Sequence, residues 1–139
     1  MTLDRPLPLL DDASAPHWEA AARGELRIQR CEPCGHWRFP PRPLCPRCRS
    51  DGVEWRAVSG RGTVYSFVVV HGPVLPAFAE RVPFAVVLVE LEEDPQLRLV
   101  GNLLDVPPER VRIGMPVTVD FEAVGEGVVL PQWRAGERS

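Results

Sequence analysis

A chain of 139 residues with 45% apolar side chains is long enough for one ordinary domain, or a small domain with an appended module, around a real core. The net charge of −3 gives the whole molecule no general attraction for phosphate backbones, and all sixteen basic residues are arginine, which removes Schiff-base and P-loop lysine chemistry. The most apolar run, residues 84–91, falls far short of the roughly 20 residues that cross a bilayer, and residues 1–12 lack the basic start and unbroken apolar stretch of an export signal, so the expectation is a cytoplasmic protein with no membrane partner.

Residues 14–24, SAPHWEAAARG, read as one short helix that closes an N-terminal arm over residues 1–24. Ser14 is placed to cap it, Pro16 suits the first turn and Gly24 the C-terminal exit. Trp18, Ala21 and Ala22 are expected on one docking face, because a helix of about three turns does not stand alone in water. ELRIQR at 25–30 alternates as a strand does and leads into CEPCGHWRFPPRPLCPRC at 31–48, and VEWRAV at 53–58 is the strand that leaves it. Two strands framing paired C-x-x-C turns describe a zinc ribbon over residues 25–58.

Ser59, Gly60, Arg61 and Gly62 mark a turn and a module boundary. Five strands follow, at 63–71, 84–91, 96–103, 116–124 and 127–133, with Pro107 and Pro108 opening a helical turn between the third and fourth. That order predicts a small Greek-key barrel of OB type over residues 59–133, an SH3-like barrel being the alternative, and a flexible tail at 134–139. The fold class is therefore mainly β: helix, ribbon, five-stranded barrel.

All four cysteines, Cys31, Cys34, Cys45 and Cys48, lie in the ribbon segment. In a reducing compartment paired C-x-x-C turns are metal ligands before they are disulfides, and four thiolates complete a tetrahedral Zn²⁺ shell. Gly35 permits the left-handed turn that closes the first knuckle, whereas Arg49 stands at the matching place in the second. The same ligands suit a rubredoxin-like iron centre. Either way no coordination position is open, so the metal is expected to be structural, and His36 has no vacancy to fill.

Charge weighs against nucleic acid as a partner. Residues 59–133 hold five arginines and ten acids, and the ribbon's seven arginines against four acids fall to about +1 once a zinc tetrathiolate is included. Tyr65 and Phe67 are expected on one strand face, as barrel core or, for a base-binding module, as a stacking pair. Residues 68–70 and 84–89 are apolar at both parities, so the outer face needs cover, from the helix or ribbon or from a partner protein. No catalytic residue is assigned: the serines lie in no nucleophile elbow, and His17, His36 and His71 have no triad context.

The string WEAAARGEL, then CxxCG, FPPRxxCPxC, WxAVSGRGTVYSF, VPFAVVLVEL and IGMPVTVDF resembles, from Trp18 to Trp133, the acyl-CoA-associated family that joins a rubredoxin-like zinc ribbon to an OB-fold. The resemblance implies an accessory subunit of a thiolase-fold thiolase or steroid side-chain aldolase, or of a hotdog-fold enoyl-CoA hydratase, with a CoA thioester as possible ligand. It places partner or acyl-chain contacts on His71, Pro76, Phe78 and Phe84 after the first barrel strand, and on Trp37, Phe39 and Arg42 of the ribbon. A free-standing acyl-CoA binder is the alternative, and a nucleic-acid module a further one.

Overall fold

The computed structural model describes residues 7, 8 and 10–136; residues 1–6, 9 and 137–139, which hold the ends of the expected arm and tail, lie outside the described residues. Helix α1 (Ala15–Ala22) leads into a three-stranded antiparallel sheet of β1 (Arg27–Cys31), β2 (Trp37–Arg38) and β3 (Val53–Ala57), in the order β2-β1-β3. A second sheet holds β4 (Arg61–Val70), β5 (Phe84–Leu91), β6 (Asp94–Asn102), β7 (Pro116–Gly125) and β8 (Val128–Ala135), in the order β6-β5-β4-β7-β8. This sheet curls until its edges meet: Leu103 forms a parallel bridge with Trp133, and Leu104 N–H donates to the Trp133 carbonyl at 2.8 Å. That strand order, with the third and fifth strands closing in parallel, is the OB arrangement expected from the strand count. Single 3-10 turns occupy Pro76–Phe78 and Pro108–Arg110, the second at the prolines expected to open a helical turn.

The core explains the closure. Along β5 every second residue, Ala85, Val87, Val89 and Leu91, is buried, as period-2 alternation requires. These side chains pack with Val64, Leu97, Leu99, Val117 and Trp133 in one cluster that also takes in Leu26 and Ile28 from the ribbon end of the chain. Ribbon and barrel therefore share a core. Gly62 is needed where β4 crosses β5, because a Cβ there would overlap the Glu90 carbonyl.

Four local expectations are corrected. α1 buries His17, Ala20 and Ala21 rather than Trp18, Ala21 and Ala22, because it packs on β8 and β1 along that stripe and leaves Ala22 exposed. Ser14 makes no side-chain cap; its Oγ bridges Asp11 and the Trp18 indole N–H instead. Gly24, at φ +80°, does end the helix, with Glu25 N–H on the Ala20 carbonyl and Gly24 N–H on the Ala21 carbonyl. Tyr65 and Phe67 do not share a face, because an irregularity between Val64 and Ser66 resets the register. Phe67 packs on the core, while Tyr65 is 44% exposed beneath the Arg98 guanidinium, 3.9 Å from the ring centroid. Finally, β8 continues through Arg134 and Ala135, held by Asp120 and Asp105, so the first residues of the expected tail belong to the sheet.

His17 carries a pH prediction. Burial holds its pKa below the ordinary imidazole value, against the opposing effect of a hydrogen bond between Nδ1 and the Arg27 carbonyl. Between the ordinary value near ~6.5 and the lower folded value the unfolded chain binds a proton that the folded chain does not, so stability falls as pH drops through this window. Urea midpoints measured at pH 7.5 and 5.5 are expected to differ by less in His17→Gln than in the wild type; an equal difference refutes the assignment.

Candidate metal centre and flanking clefts

The two C-x-x-C turns close as matched knuckles. Cys31 N–H donates to the His36 carbonyl and Gly35 N–H to the Cys31 carbonyl; Cys45 N–H donates to the Ser50 carbonyl and Arg49 N–H to the Cys45 carbonyl. The closing residue of each is left-handed: Gly35 at φ +77° and Arg49 at φ +66°. Arg49 thus adopts the glycine-like backbone of its counterpart despite its Cβ.

The four sulfurs lie within 4.8 Å of one another, with Cys31 Sγ 3.5 Å from Cys48 Sγ and Cys34 Sγ 3.7 Å from Cys45 Sγ. Zn–S bonds of about 2.3 Å in a tetrahedron require S···S edges of about 3.8 Å, so the donor set fits the ion in number, kind and spacing. Burial opposes ionisation of Cys45, but the N–H groups of Cys48 and Arg47 aimed at its sulfur, with Cys34 and Cys31 beside it, pull its pKa down to about 6. One ligand is then a thiolate at neutral pH. When bound, the metal would supply a four-point cross-link between the knuckles, and Cys31, Cys34, Cys45 and Cys48 would hold it.

Five of the seven residues expected to touch a partner or acyl chain, Trp37, Phe39, Arg42, Phe78 and Phe84, fall in two clefts that share Phe39. The first, about 320 Å³, lies where β2 meets β6, with Trp37, Phe39 and Arg42 on its wall. The second, about 430 Å³, is bordered by His17 and Trp18 of α1, Phe39, Phe78, Phe84 and Val100. Phe78 and Phe84 stack at 6.4 Å, and Phe39 meets the His17 ring at 5.2 Å. A polar rim faces this apolar cleft: Gln132 donates to Glu122 at 2.9 Å and accepts from Asn102 N–H at 2.7 Å. His71 and Pro76 are exposed and line neither cleft. Arg38 was not singled out from the sequence, whereas Trp18 was expected only on the docking face of the helix and His17 was named only as a histidine without triad context. β2 is two residues long, too short for a periodic signal, and the helix face was misplaced by one position.

The outer face of the barrel is only partly covered. Phe84, Val86 and Leu88 point outward from β5 and are half-buried, whereas Val68 and Val100 on the flanking strands are 59% and 62% exposed. His17 and Trp18 of the helix reach the edge of this face, where they border a cleft with Val86 and Val100. No helix among the described residues is long and apolar enough to cross a membrane.

Comparison with known proteins agrees with this architecture. The family model described as "ChsH2, rubredoxin-like zinc ribbon domain" matches residues 18–54, and "ChsH2, C-terminal OB-fold domain" matches residues 55–122. The chain is 42% identical over 94% of its length to a probable enoyl-CoA hydratase alpha subunit of Thermomonospora curvata, and 41% identical over 84% to the 3-oxo-4,17-pregnadiene-20-carboxyl-CoA hydratase alpha subunit of Mycobacterium tuberculosis. It spans 40% and 34% of the lengths of those two relatives. It is also 40% identical, over 70% of its own length and 67% of the other, to a DUF35 domain-containing scaffold protein of Methanocaldococcus jannaschii. Among solved structures it resembles a chain of the "Ltp2-ChsH2(DUF35) aldolase", at 41% identity and a TM-score of 0.84, covering 92% of this chain and 98% of that one. The chain belongs to the DUF35 family, in the form that joins a ChsH2-type zinc ribbon to a ChsH2-type OB-fold domain.

Proposed function

We propose that this chain is a non-catalytic accessory subunit that docks on a thiolase-fold enzyme making or breaking a C–C bond in a CoA thioester, and that it shapes the acyl-CoA entrance of that enzyme. The observation that carries the reading is the likeness, at 41% identity across 92% of the chain, to the ChsH2(DUF35) chain of an aldolase. Two features of the molecule support it. The four cysteines form one sulfur cluster and so offer no free nucleophile once metal is bound. The outer face of β4, β5 and β6 presents Val68, Val86, Leu88 and Val100 as a ready apolar patch. Burial of such side chains at ~1.5 to 3 kcal/mol each is of the size needed to offset an association cost of ~4 to 15 kcal/mol. The apolar cleft at the edge of the patch, rimmed by Asn102 and Gln132, has the character of a wall for an acyl or sterol group. Phe39, Phe78 and Phe84, which line it, are among the residues that the resemblance assigns to contact.

Co-expression with a thiolase-fold enzyme from the same source tests the reading. The two chains are expected to co-elute, with C–C cleavage of a β-hydroxyacyl-CoA rising on assembly. Val100→Asp, on the exposed face, is expected to weaken assembly at least ~10-fold, since one buried unpaired charge costs more than the ~1.4 kcal/mol that such a factor represents. Its zinc content and circular dichroism should not change. Absence of co-elution, together with thioester turnover by this chain alone, overturns the proposal. The two hydratase alpha subunits among the relatives favour a second reading, a hydratase partner. It predicts enoyl-CoA hydration, rather than C–C cleavage, in the assembled complex.

A further inference from the structure

On the outer face of the barrel one cation stands apart from the acid placed to meet it. Glu90 of β5 lies directly opposite Arg98 of β6 in the antiparallel register, and both side chains point outward, since Val89, Leu97 and Leu99 beside them are buried in the core. Opposite charges in such a cross-strand position ordinarily pair. Among the described residues no ion pair joins these two. The Arg98 guanidinium lies instead over the Tyr65 ring. The irregularity between Val64 and Ser66 makes this stack possible: it turns Tyr65 outward, while Val64 before it and Phe67 after it face the core. Nε of Arg98 is closed off without a hydrogen-bond partner, but Nη1 and Nη2 are not among the buried atoms and have no protein partner among the described residues. The arginine that opens β4, Arg61, is by contrast held by Glu92 at 2.8 Å.

The stack fixes a planar cation with its two terminal nitrogens open, at the end of an apolar strip. Val100 is two residues along β6 from Arg98, Leu88 lies opposite Val100, and Val86 and Val68 pair in the next row. A purely apolar partner surface laid over this strip would strand the charge in a dry interface, whereas one with a carboxylate at that place would answer it. Two N–H donors in one plane match the two oxygens of a carboxylate. Tyrosine and arginine in such a setting are also the residue types that dominate binding energy. We propose that Arg98, braced by Tyr65, anchors the docking face, and that the partner enzyme meets it with the carboxylate of an Asp or Glu set within an apolar surface. The inference rests on the accessory-subunit reading and names the chemistry that the partner must present.

The test uses the full chain, zinc-loaded, assembled with the thiolase-fold enzyme from the same source. Arg98→Met keeps the aliphatic stem and is expected to weaken assembly at least ~10-fold and to flatten its dependence on salt, with zinc content and melting temperature unchanged. A merely structural role would move the melting temperature and leave the salt dependence alone. Tyr65→Leu, which removes the brace, is expected to weaken assembly in the same direction by a smaller factor. The chain contains no lysine, so Arg98→Lys places a single side-chain amine on it, at this face. Carbodiimide joins an amine to a touching carboxylate as an amide, taking up the water that is lost. In the assembled Arg98→Lys complex it is expected to link position 98 to an Asp or Glu of the partner, located by mass spectrometry, and this link decides the matter if Arg98→Met does not fold. Assembly of Arg98→Met as tight as that of the wild type, while Val100→Asp assembles poorly, overturns this inference alone, as does an assembled Arg98→Lys complex that gives no such link. No co-elution of the wild-type chain overturns the accessory-subunit reading and this inference with it. A wild-type chain that dimerises by itself, and no longer does so in Arg98→Met, also overturns it, because the carboxylate would then belong to a second copy of this chain.

Discussion

Cys45→Ser is expected to release the metal and unfold the ribbon, and with it much of the barrel. Cys45 is buried, its sulfur receives the N–H groups of Arg47 and Cys48, and it lies 3.7 Å from Cys34 Sγ. A serine oxygen is a harder donor on a shorter bond and cannot complete the soft tetrahedral shell. Structural zinc contributes ~10 to 16 kcal/mol in comparable knuckles, which equals or exceeds the ~5 to 15 kcal/mol stability of a whole domain. The loss is not confined to the knuckles. β1 ends at Cys31, and the residues just before it, Leu26 and Ile28, pack in the barrel's own core cluster. Native mass spectrometry is expected to show one zinc per wild-type chain and none in the variant, with a melting temperature lower by more than ~10 °C, given roughly 4 °C per kcal/mol at this size. A chelator should reproduce the effect on the wild type. A colourless, zinc-containing protein also decides against the rubredoxin-like iron alternative, whose product would be red. A variant that keeps its metal and its fold would show the tetrathiolate to be dispensable.

The parts of this molecule that could be read in advance are those with a strong local period or a fixed chemical spacing. β5 matched its expected span, residues 84–91, because its inward parity is unbroken and Pro83 and the acidic turn bound it. The metal ligands were legible because a tetrahedron of sulfurs imposes C-x-x-C spacing before any tertiary contact forms. The failures lie where a long-range contact outweighs the local signal. The helix face is set by the strands that receive it, so the stripe of His17, Ala20 and Ala21 won over the one centred on Trp18. The reset at Tyr65 answers the closure of the barrel, which no alternation pattern announces. Arg38 was hidden by its type: an arginine in a loop-like segment reads as solvated, and its burial follows from the pairing of β2 with β1 opposite Gln29. The contact residues expected from the resemblance divide in the structure between two clefts and an exposed loop, and their roles rest with the assembly experiments.

The closure of the barrel is expected to depend on one close fit, that of Trp133 against Gly101. Trp133 is fully buried, and its carbonyl takes the Leu104 N–H that joins the two edges of the sheet. A Cβ added to Gly101 would stand 2.9 Å from Cδ1 and 3.1 Å from Nε1 of the indole, with Gln132 Oε1 at 3.1 Å. Glycine at this position is therefore the space into which the indole fits. Trp133→Leu should cost ~3 kcal/mol or more, in the range for large-to-small core substitutions, because the core around Val87, Val89 and Val117 cannot collapse far on a closed barrel. Gly101→Ala should cost ~1 to 3 kcal/mol in the wild type by overpacking. In the Trp133→Leu background the same methyl enters vacated space, so its cost is expected to fall by at least ~1 kcal/mol and the two changes to be less than additive. Denaturant unfolding of the four proteins measures that coupling. Strict additivity would mean that the sheet edges close without this contact, and that the burial of Trp133 is a consequence of the barrel's shape and not one of its causes.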